Sequence, residues 1–139
     1  MILITPFHIT SLDPGQIFVF GSNLAGRHGR GAAWTAVTRF GAIQGQGVGL
    51  QGSAYAIPTK DGNLRVLSLP RIKFYVDQFI RVAHGHQELQ FLVTEIGCGL
   101  AGYTAEEIAP LFAPLVRDAH LTNVALPECF WRVISPFNP

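Results

Sequence analysis

Cysteine and long apolar runs are both scarce in this chain. The 139 residues include only 2 cysteines, Cys98 and Cys129, and these form no CxxC pair. We therefore expect no disulfide framework, and we predict a cytoplasmic location. The sequence holds no run of about 18 apolar residues, so we expect no membrane-spanning helix. Its apolar start lacks a basic region and meets Pro6 early, which does not fit a signal peptide.

Charge is also scarce, and the two signs almost cancel. Charged residues make up 14% of the chain, with 10 Lys+Arg against 9 Asp+Glu and a formal net charge of +1. Broad capture of nucleic acid needs a dense basic face, so we consider a nucleic-acid partner unlikely. A small anionic ligand held by a few local groups stays compatible with this composition. Hydrophobic residues account for 48%, which is ample for a folded core.

Apolar runs and helical periodicities alternate along the sequence, which predicts one α/β domain. The predicted strands are 2–9, 17–20, 54–57, 89–96 and 123–126. The predicted helices are 32–40, 71–84 and a third that begins at Thr104, where Thr104 and Glu107 form a capping box. Pro110 and Pro114 predict a kink in that third helix, and residues 131–139 are predicted to form a tail with two prolines.

Glycine follows two of the predicted buried strands, in the loops Gly21–Gly31 and Gly97–Tyr103. In open α/β sheets, ligands bind beyond the carboxyl ends of strands. Helix N-termini attract anions, and glycine lets the backbone approach phosphate oxygens. Two such loops suit a diphosphate, although the same glycines can serve only to make tight turns. The chain contains no GxxxxGK[ST] loop, and its Gly45–Gly49 segment precedes a strand where a dinucleotide fingerprint would follow one.

Four segments resemble macrodomains, a superfamily that binds ADP-ribose. One of them, Gly45 to Thr59, resembles that family's loop leading to the next strand. Val19-Phe20-Gly21-Ser22-Asn23, with the glycines and the alanine-rich helix after it, resembles the segment in which an asparagine closes a strand. Ile96-Gly97-Cys98-Gly99-Leu100 and Ile57-Pro58-Thr59-Lys60 are similar to segments of the terminal ADP-ribose protein glycohydrolase branch and of unassigned phage-encoded relatives. The resemblance covers about residues 16–126. It implies a single three-layer α/β/α domain over 1–139 with a mixed central sheet, and no cofactor.

The resemblance also implies roles for individual residues. Asn23 would hydrogen-bond the distal ribose, and Lys60 would attack the anomeric carbon. The implied ligand-binding residues are Gly21, Ser22, Asn23, Gly29, Gly31, Gly97, Cys98, Gly99, Leu100, Ala101, Gly102 and Tyr103. One position departs from the branch, because Ala101 stands where those enzymes have an acid/base aspartate. Asp61 could replace that aspartate only if the fold brings it within about 3 Å of the reacting atom.

Several of these residues have a second interpretation. Lys60 is either a nucleophile or a solvated lysine at a strand end, and Asn23 is either a ribose ligand or a turn residue. His28 could act as an acid/base, contact phosphate together with neighbouring arginines, or face solvent. Cys98 is either a thiolate nucleophile or a small buried residue. We expect no metal site, because His84 and His86 lack a third ligand at useful spacing.

Three functions follow from these observations. The chain is expected to bind ADP-ribose, or an ADP-ribosylated substrate, and to hydrolyse the ADP-ribosyl linkage. Alternatively, it is a non-catalytic module that reads or sequesters an ADP-ribose-derived ligand. The third hypothesis, a nucleic-acid-associated protein, is the weakest because of the near-neutral charge. The oligomeric state stays open.

Overall fold

One mixed sheet of five strands forms the centre of the fold. The computed structural model describes residues 2–135. The strands are β1 (Gln16–Asn23), β2 (Gly49–Gln51), β3 (Ala54–Lys60), β4 (Gln90–Val93) and β5 (Val124–Ala125). The helices are α1 (Gly31–Phe40), α2 (Leu69–Gly85), α3 (Ala105–Ile108), a short 3-10 helix (Ala109–Phe112), α4 (Pro114–Arg117) and α5 (Glu128–Ile134). The strand order is β2-β3-β1-β4-β5, and every pair is parallel except β2 with β3. The predicted α/β class and mixed sheet are thus confirmed.

Strand β1 carries apolar side chains on both faces because helices cover the sheet on both sides. Phe18 and Phe20 pack with Ala36 and Phe40 of α1 in a small cluster on one face. Val19 points to the opposite face, where a larger cluster gathers residues of α2, α3, the 3-10 helix and α5. Helix, sheet and helix therefore form three layers.

Five element predictions need correction. The predicted strand 2–9 pairs only through the single parallel bridge Ile4↔Leu126, because Pro6 offers no backbone N–H to continue the ladder. Two predicted strands are shorter than expected, β4 ending at Val93 and β5 holding two residues. The helix after Thr104 is broken into three short pieces by its prolines instead of kinked. Residues 131–134 belong to α5, while 136–139 of the predicted tail lie outside the described residues.

Parallel pairing brings the carboxyl ends of three strands to the same edge of the sheet. Asn23 at the end of β1 is paired with Lys60 at the end of β3, and Val19 of β1 is paired with Val93 at the end of β4. The loops that follow these strands therefore meet above the sheet, where the site described next is located. Across residues 2–135, no helix is long and apolar enough to cross a membrane.

Candidate functional site

A cavity of about 580 Å³ opens at the carboxyl ends of β1, β3 and β4. Its volume lies within the range of about 300–1,000 Å³ that is usual for small-molecule sites. It is lined by Gly21, Ser22, Asn23, Arg27, Gly29, Arg30, Gly31, Ala32, Ala33, Thr59, Lys60, Leu64, Thr94, Glu95, Ile96, Gly97, Gly99, Leu100 and Ala101. Both glycine-rich loops that the sequence singles out thus contribute to one cavity.

The first wall is the loop after β1 together with the start of α1. Arg30 is the N-cap residue of α1, and its side chain makes no capping hydrogen bond to the described backbone. The first turn of this ten-residue helix contains no acidic residue, and Gly31, Ala32 and Ala33 all line the cavity. The first N–H groups of a helix lack intrahelical partners and attract anions. The guanidinium groups of Arg27 and Arg30 add positive charge to the same wall.

The segment 45–47, which precedes β2, packs against the outer side of this wall. Gly45 N–H donates to Gly26 O at 2.8 Å, and the Ser22 hydroxyl donates to Gly47 O at 2.6 Å. At Gly26 an added Cβ would lie 2.3 Å from the carbonyl carbon of Gly45, and Gly26 also has a φ of +70°. Glycine is needed here because the two backbones touch. We call the paired segments 22–26 and 45–47 the glycine junction.

Asn23 lines the cavity, and both polar atoms of its side-chain amide form hydrogen bonds within the loop. Its Nδ2 donates to Arg27 O at 3.0 Å, and its Oδ1 accepts from Arg27 N–H at 3.0 Å. These bonds close the loop, as the turn interpretation of Asn23 expects. One amide hydrogen and one lone pair are left over, since a side-chain amide offers two donors and two acceptor sites. Asn23 therefore holds the loop and still presents polar atoms at the cavity.

Lys60 lines the cavity, whereas its neighbour Asp61 does not. Among the described residues, none forms a hydrogen bond or ion pair with Lys60 Nζ. The Asp61 carboxylate accepts from the N–H groups of Asn63 at 2.8 Å and Arg65 at 2.9 Å, which folds it into its own turn. The bond from Arg65 N–H, followed by that from Asn63 N–H, lowers the pKa of Asp61. Asp61 is therefore badly placed to act as the acid/base that the resembling glycohydrolases carry at the position of Ala101.

His28 lies behind the loop, outside the cavity, so the solvent-facing interpretation is wrong. Its side chain is fully buried and packs edge-on against Phe20. The backbone of His28 exchanges two hydrogen bonds with the side-chain amide of Gln44, and His28 Nε2 lies 2.9 Å from Gln46 O. Because a carbonyl oxygen only accepts, Nε2 must carry the proton. His28 is thus an internal anchor of the loop, without access to a ligand in the cavity.

The second predicted loop contributes Gly97, Gly99, Leu100 and Ala101 to the cavity, but not Cys98, Gly102 or Tyr103. The Tyr103 hydroxyl donates to Leu67 O at 2.6 Å, which ties the loop down. Cys98 is half-buried against the main core, and burial raises the pKa of its thiol to about 11, with smaller contributions from Cys129 and nearby carboxylates. The small-residue interpretation fits this environment better than a thiolate nucleophile.

The helix after this loop does not offer the anion site that the sequence suggests. The capping box is confirmed, with Glu107 N–H donating to Thr104 Oγ1 and Thr104 N–H donating to Glu107 Oε1. These bonds satisfy N–H groups of the first turn, and the acidic residues Glu106 and Glu107 place negative charge there. Because α3 has four residues, its dipole is also small. The backbone of the loop itself forms the second wall.

Sequence reasoning missed several lining residues, of which Leu64 and Glu95 are the most informative. Leu64 has a φ of 63° and is 49% exposed. A left-handed conformation at a residue with a Cβ costs about 1–2 kcal/mol, so the turn 61–65 is strained where it meets the cavity. Glu95 follows β4 without belonging to a recognisable motif. No local pattern in the sequence signals either residue.

A second groove of about 660 Å³ adjoins the cavity, and the two share Ala32, Thr94 and Glu95. Its other walls come from the N-terminal segment and the start of α5. They are lined by Ile4, Thr5, Pro6, Phe7, His8, Ile9, Phe18, Thr35, Pro127, Glu128, Cys129 and Arg132. A glycine-lined cavity with three cationic side chains thus adjoins a groove whose walls carry aromatic, aliphatic and charged side chains.

Among residues 2–135, no group of three or more His, Cys, Asp or Glu side chains is arranged to hold a metal ion. Comparison of the chain with protein-family models, with curated proteins and with solved structures finds no match to any of them.

Proposed function

We propose that the cavity binds ADP-ribose or a closely related nucleotide diphosphate. The observation that supports this most is the convergence of two glycine-lined loops and the uncapped start of α1 on one cavity with three cationic side chains, those of Arg27, Arg30 and Lys60. Backbone N–H groups and cations together are what a diphosphate requires. The sequence resemblance to macrodomains points to the same ligand.

The adjoining groove suggests how the rest of such a ligand is held. Phe7, Phe18 and Ile9 give the groove the apolar walls that suit a nucleobase. With the diphosphate between the loops, the distal ribose would lie towards Asn23 and Lys60, and the adenosine would enter the groove. A cavity with an adjoining groove offers an extended ligand contacts that an isolated phosphate would not use.

The residues favour binding over efficient hydrolysis. The aspartate of the resembling glycohydrolases is Ala101 here, Asp61 is folded into its own turn, and His28 is buried behind the loop. A non-catalytic reader of an ADP-ribose-derived ligand is therefore our first candidate. Hydrolysis is the second candidate, because Lys60 reaches the cavity without an ion-pair partner among the described residues.

Calorimetry with ADP-ribose tests binding, with AMP, NAD and a short oligonucleotide as comparison ligands. Gly29→Ala and Arg30→Gln probe the wall. Beyond the chain neighbours of Gly29, no described heavy atom lies within 4 Å of a Cβ added there, and Arg30 is exposed. Loss of one charged hydrogen bond weakens binding by about 10-fold or more, which we expect for Arg30→Gln. Lys73→Ala, which removes an exposed lysine of α2, is the matched control. No heat with ADP-ribose, or equal binding by all four proteins, would contradict the proposed site.

Turnover separates the two candidates. Incubation with an ADP-ribosylated substrate, followed by chromatography of released ADP-ribose, measures product per molecule of protein. We expect less than one equivalent from the wild-type protein over hours. Multiple turnovers that disappear in Lys60→Ala but not in Lys73→Ala would instead establish the hydrolase.

A further inference from the structure

Among the described residues that line the cavity, Glu95 is the only one with a carboxylate. The preceding residue is held firmly, because Thr94 Oγ1 donates to Val19 O at 2.7 Å. The turn after it is tight, with Ile96 N–H donating to Thr94 O at 2.7 Å. Glu95 therefore has a well-defined backbone position directly beyond the end of β4, at the junction between the cavity and the groove.

The side chain of Glu95 is oriented towards the groove. Cys129, at the start of α5, donates its thiol hydrogen to Glu95 Oε1 at 3.5 Å. Burial and this hydrogen bond both raise the pKa of Cys129, so the thiol stays protonated and can act as the donor. A carboxylate oxygen accepts more than one hydrogen bond, which leaves acceptor sites of Glu95 for a ligand.

A carboxylate in a site built for phosphates cannot itself bind a phosphate, because like charges repel. It complements groups that donate hydrogen bonds, such as hydroxyls. An acidic residue that accepts from ribose hydroxyls is the common device of dinucleotide-binding sites, and it disfavours a 2′-phosphate at the same position. Glu95 lines both the cavity and the groove, and in the proposed pose this is where the adenosine ribose joins the diphosphate to the base.

We propose that Glu95 accepts hydrogen bonds from the hydroxyls of the adenosine ribose and thereby selects ligands with a free 2′-hydroxyl over 2′-phosphorylated ones. The cavity would then distinguish NAD-derived from NADP-derived nucleotides. This inference rests on the proposed binding of ADP-ribose.

The groove contains one arginine that could favour a 2′-phosphate, and its partner opposes that effect. Arg132 Nη2 donates to Glu128 Oε1 at 2.6 Å, and both residues line the groove. The positive charge of Arg132 is therefore balanced locally, whereas within residues 2–135 the Glu95 carboxylate accepts a hydrogen bond only from the Cys129 thiol. Arg27, Arg30 and Lys60 line the cavity and not the groove, so within the described groove lining Glu95 is the carboxylate without a cationic partner, and its charge repels a 2′-phosphate.

The test compares ADP-ribose with 2′-phospho-ADP-ribose by calorimetry on the wild-type protein, Glu95→Gln and the control Glu106→Gln. Glu106 is an exposed glutamate of α3 outside the cavity lining, so it controls for the change in net charge. We expect the wild-type protein and Glu106→Gln to bind ADP-ribose about 10-fold more tightly than the 2′-phosphorylated ligand. In Glu95→Gln this preference should fall to about 2-fold or less, because the variant binds ADP-ribose more weakly and no longer repels the 2′-phosphate.

The role of Glu95 and the proposed binding of ADP-ribose are contradicted by different results. If Glu95→Gln binds ADP-ribose and keeps the wild-type preference, the role of Glu95 is wrong and the proposed function stands. If the wild-type protein binds neither nucleotide, the proposed function fails and this inference fails with it. Thermal melting of Glu95→Gln, monitored by circular dichroism, establishes that the variant is folded.

Discussion

Replacing Gly47 with alanine should push apart the two backbone segments of the glycine junction and lower the stability of the fold. The substitution changes no charge. An added Cβ at Gly47 would lie 2.3 Å from Asn23 O and 2.8 Å from Leu24 O. Both atoms belong to the backbone, so no side chain can rotate away to make room. Overpacking of this kind costs about 1–3 kcal/mol. The displacement also strains the hydrogen bond from Ser22 to Gly47 O, which contributes about 1 kcal/mol more.

A total near 3 kcal/mol corresponds to a decrease in Tm of about 10 °C for a chain of this length, from the usual unfolding entropy per residue. Differential scanning fluorimetry and urea unfolding measure this change. Gly29→Ala is the matched control, because beyond its two chain neighbours no heavy atom of residues 2–135 lies within 4 Å of its added Cβ. We expect its Tm to stay within about 2 °C of the wild-type value. If both variants melt together, the close backbone contact described here is wrong.

Two further predictions follow from shifted pKa values. Because the pKa of Asp61 is lowered in the fold, its stabilising effect is present above the unfolded value of about 3.9 and is lost as the pH falls through the folded value. The Tm of the wild-type protein should therefore exceed that of Asp61→Asn at pH 7, and the difference should close below about pH 4; a constant difference would contradict this. With the pKa of Cys98 at about 11, its alkylation by iodoacetamide, measured by mass spectrometry, should keep accelerating up to pH 10. A plateau near pH 9 would mean an ordinary thiol.

The sequence predicts those elements well that carry a strong pattern of their own. Residues 17–20 form a continuous apolar run, and residues 71–84 repeat apolar side chains on one helical face, so both were assigned the correct type. The three residues of β2 have no such pattern, since Gly49 begins the strand and its pairing with β3 decides its conformation. The bridge Ile4↔Leu126 likewise joins two ends of the chain, and no local sequence rule anticipates it.

The sequence indicates the glycine-rich loops of the candidate site. It does not indicate the side chains whose positions depend on long-range packing. The loops after β1 and β4 could be placed at one edge of the sheet because parallel strands end together. The burial of His28 depends on Gln44 and Gln46, which approach it only in the folded chain. The position of Glu95 at the mouth of the groove requires knowledge of where α5 begins. Neither arrangement leaves a local signature.

The glycine junction limits which segments of this protein can be exchanged with those of another protein. Segments 22–26 and 45–47 touch backbone to backbone, so each determines which residues the other tolerates. A chimera that receives the first segment from another protein without the second would place unmatched side chains at this contact. The two segments behave as one exchangeable unit although they are separated in the chain by the whole of α1. Grafting this wall onto another scaffold therefore requires transferring residues 22–47 together.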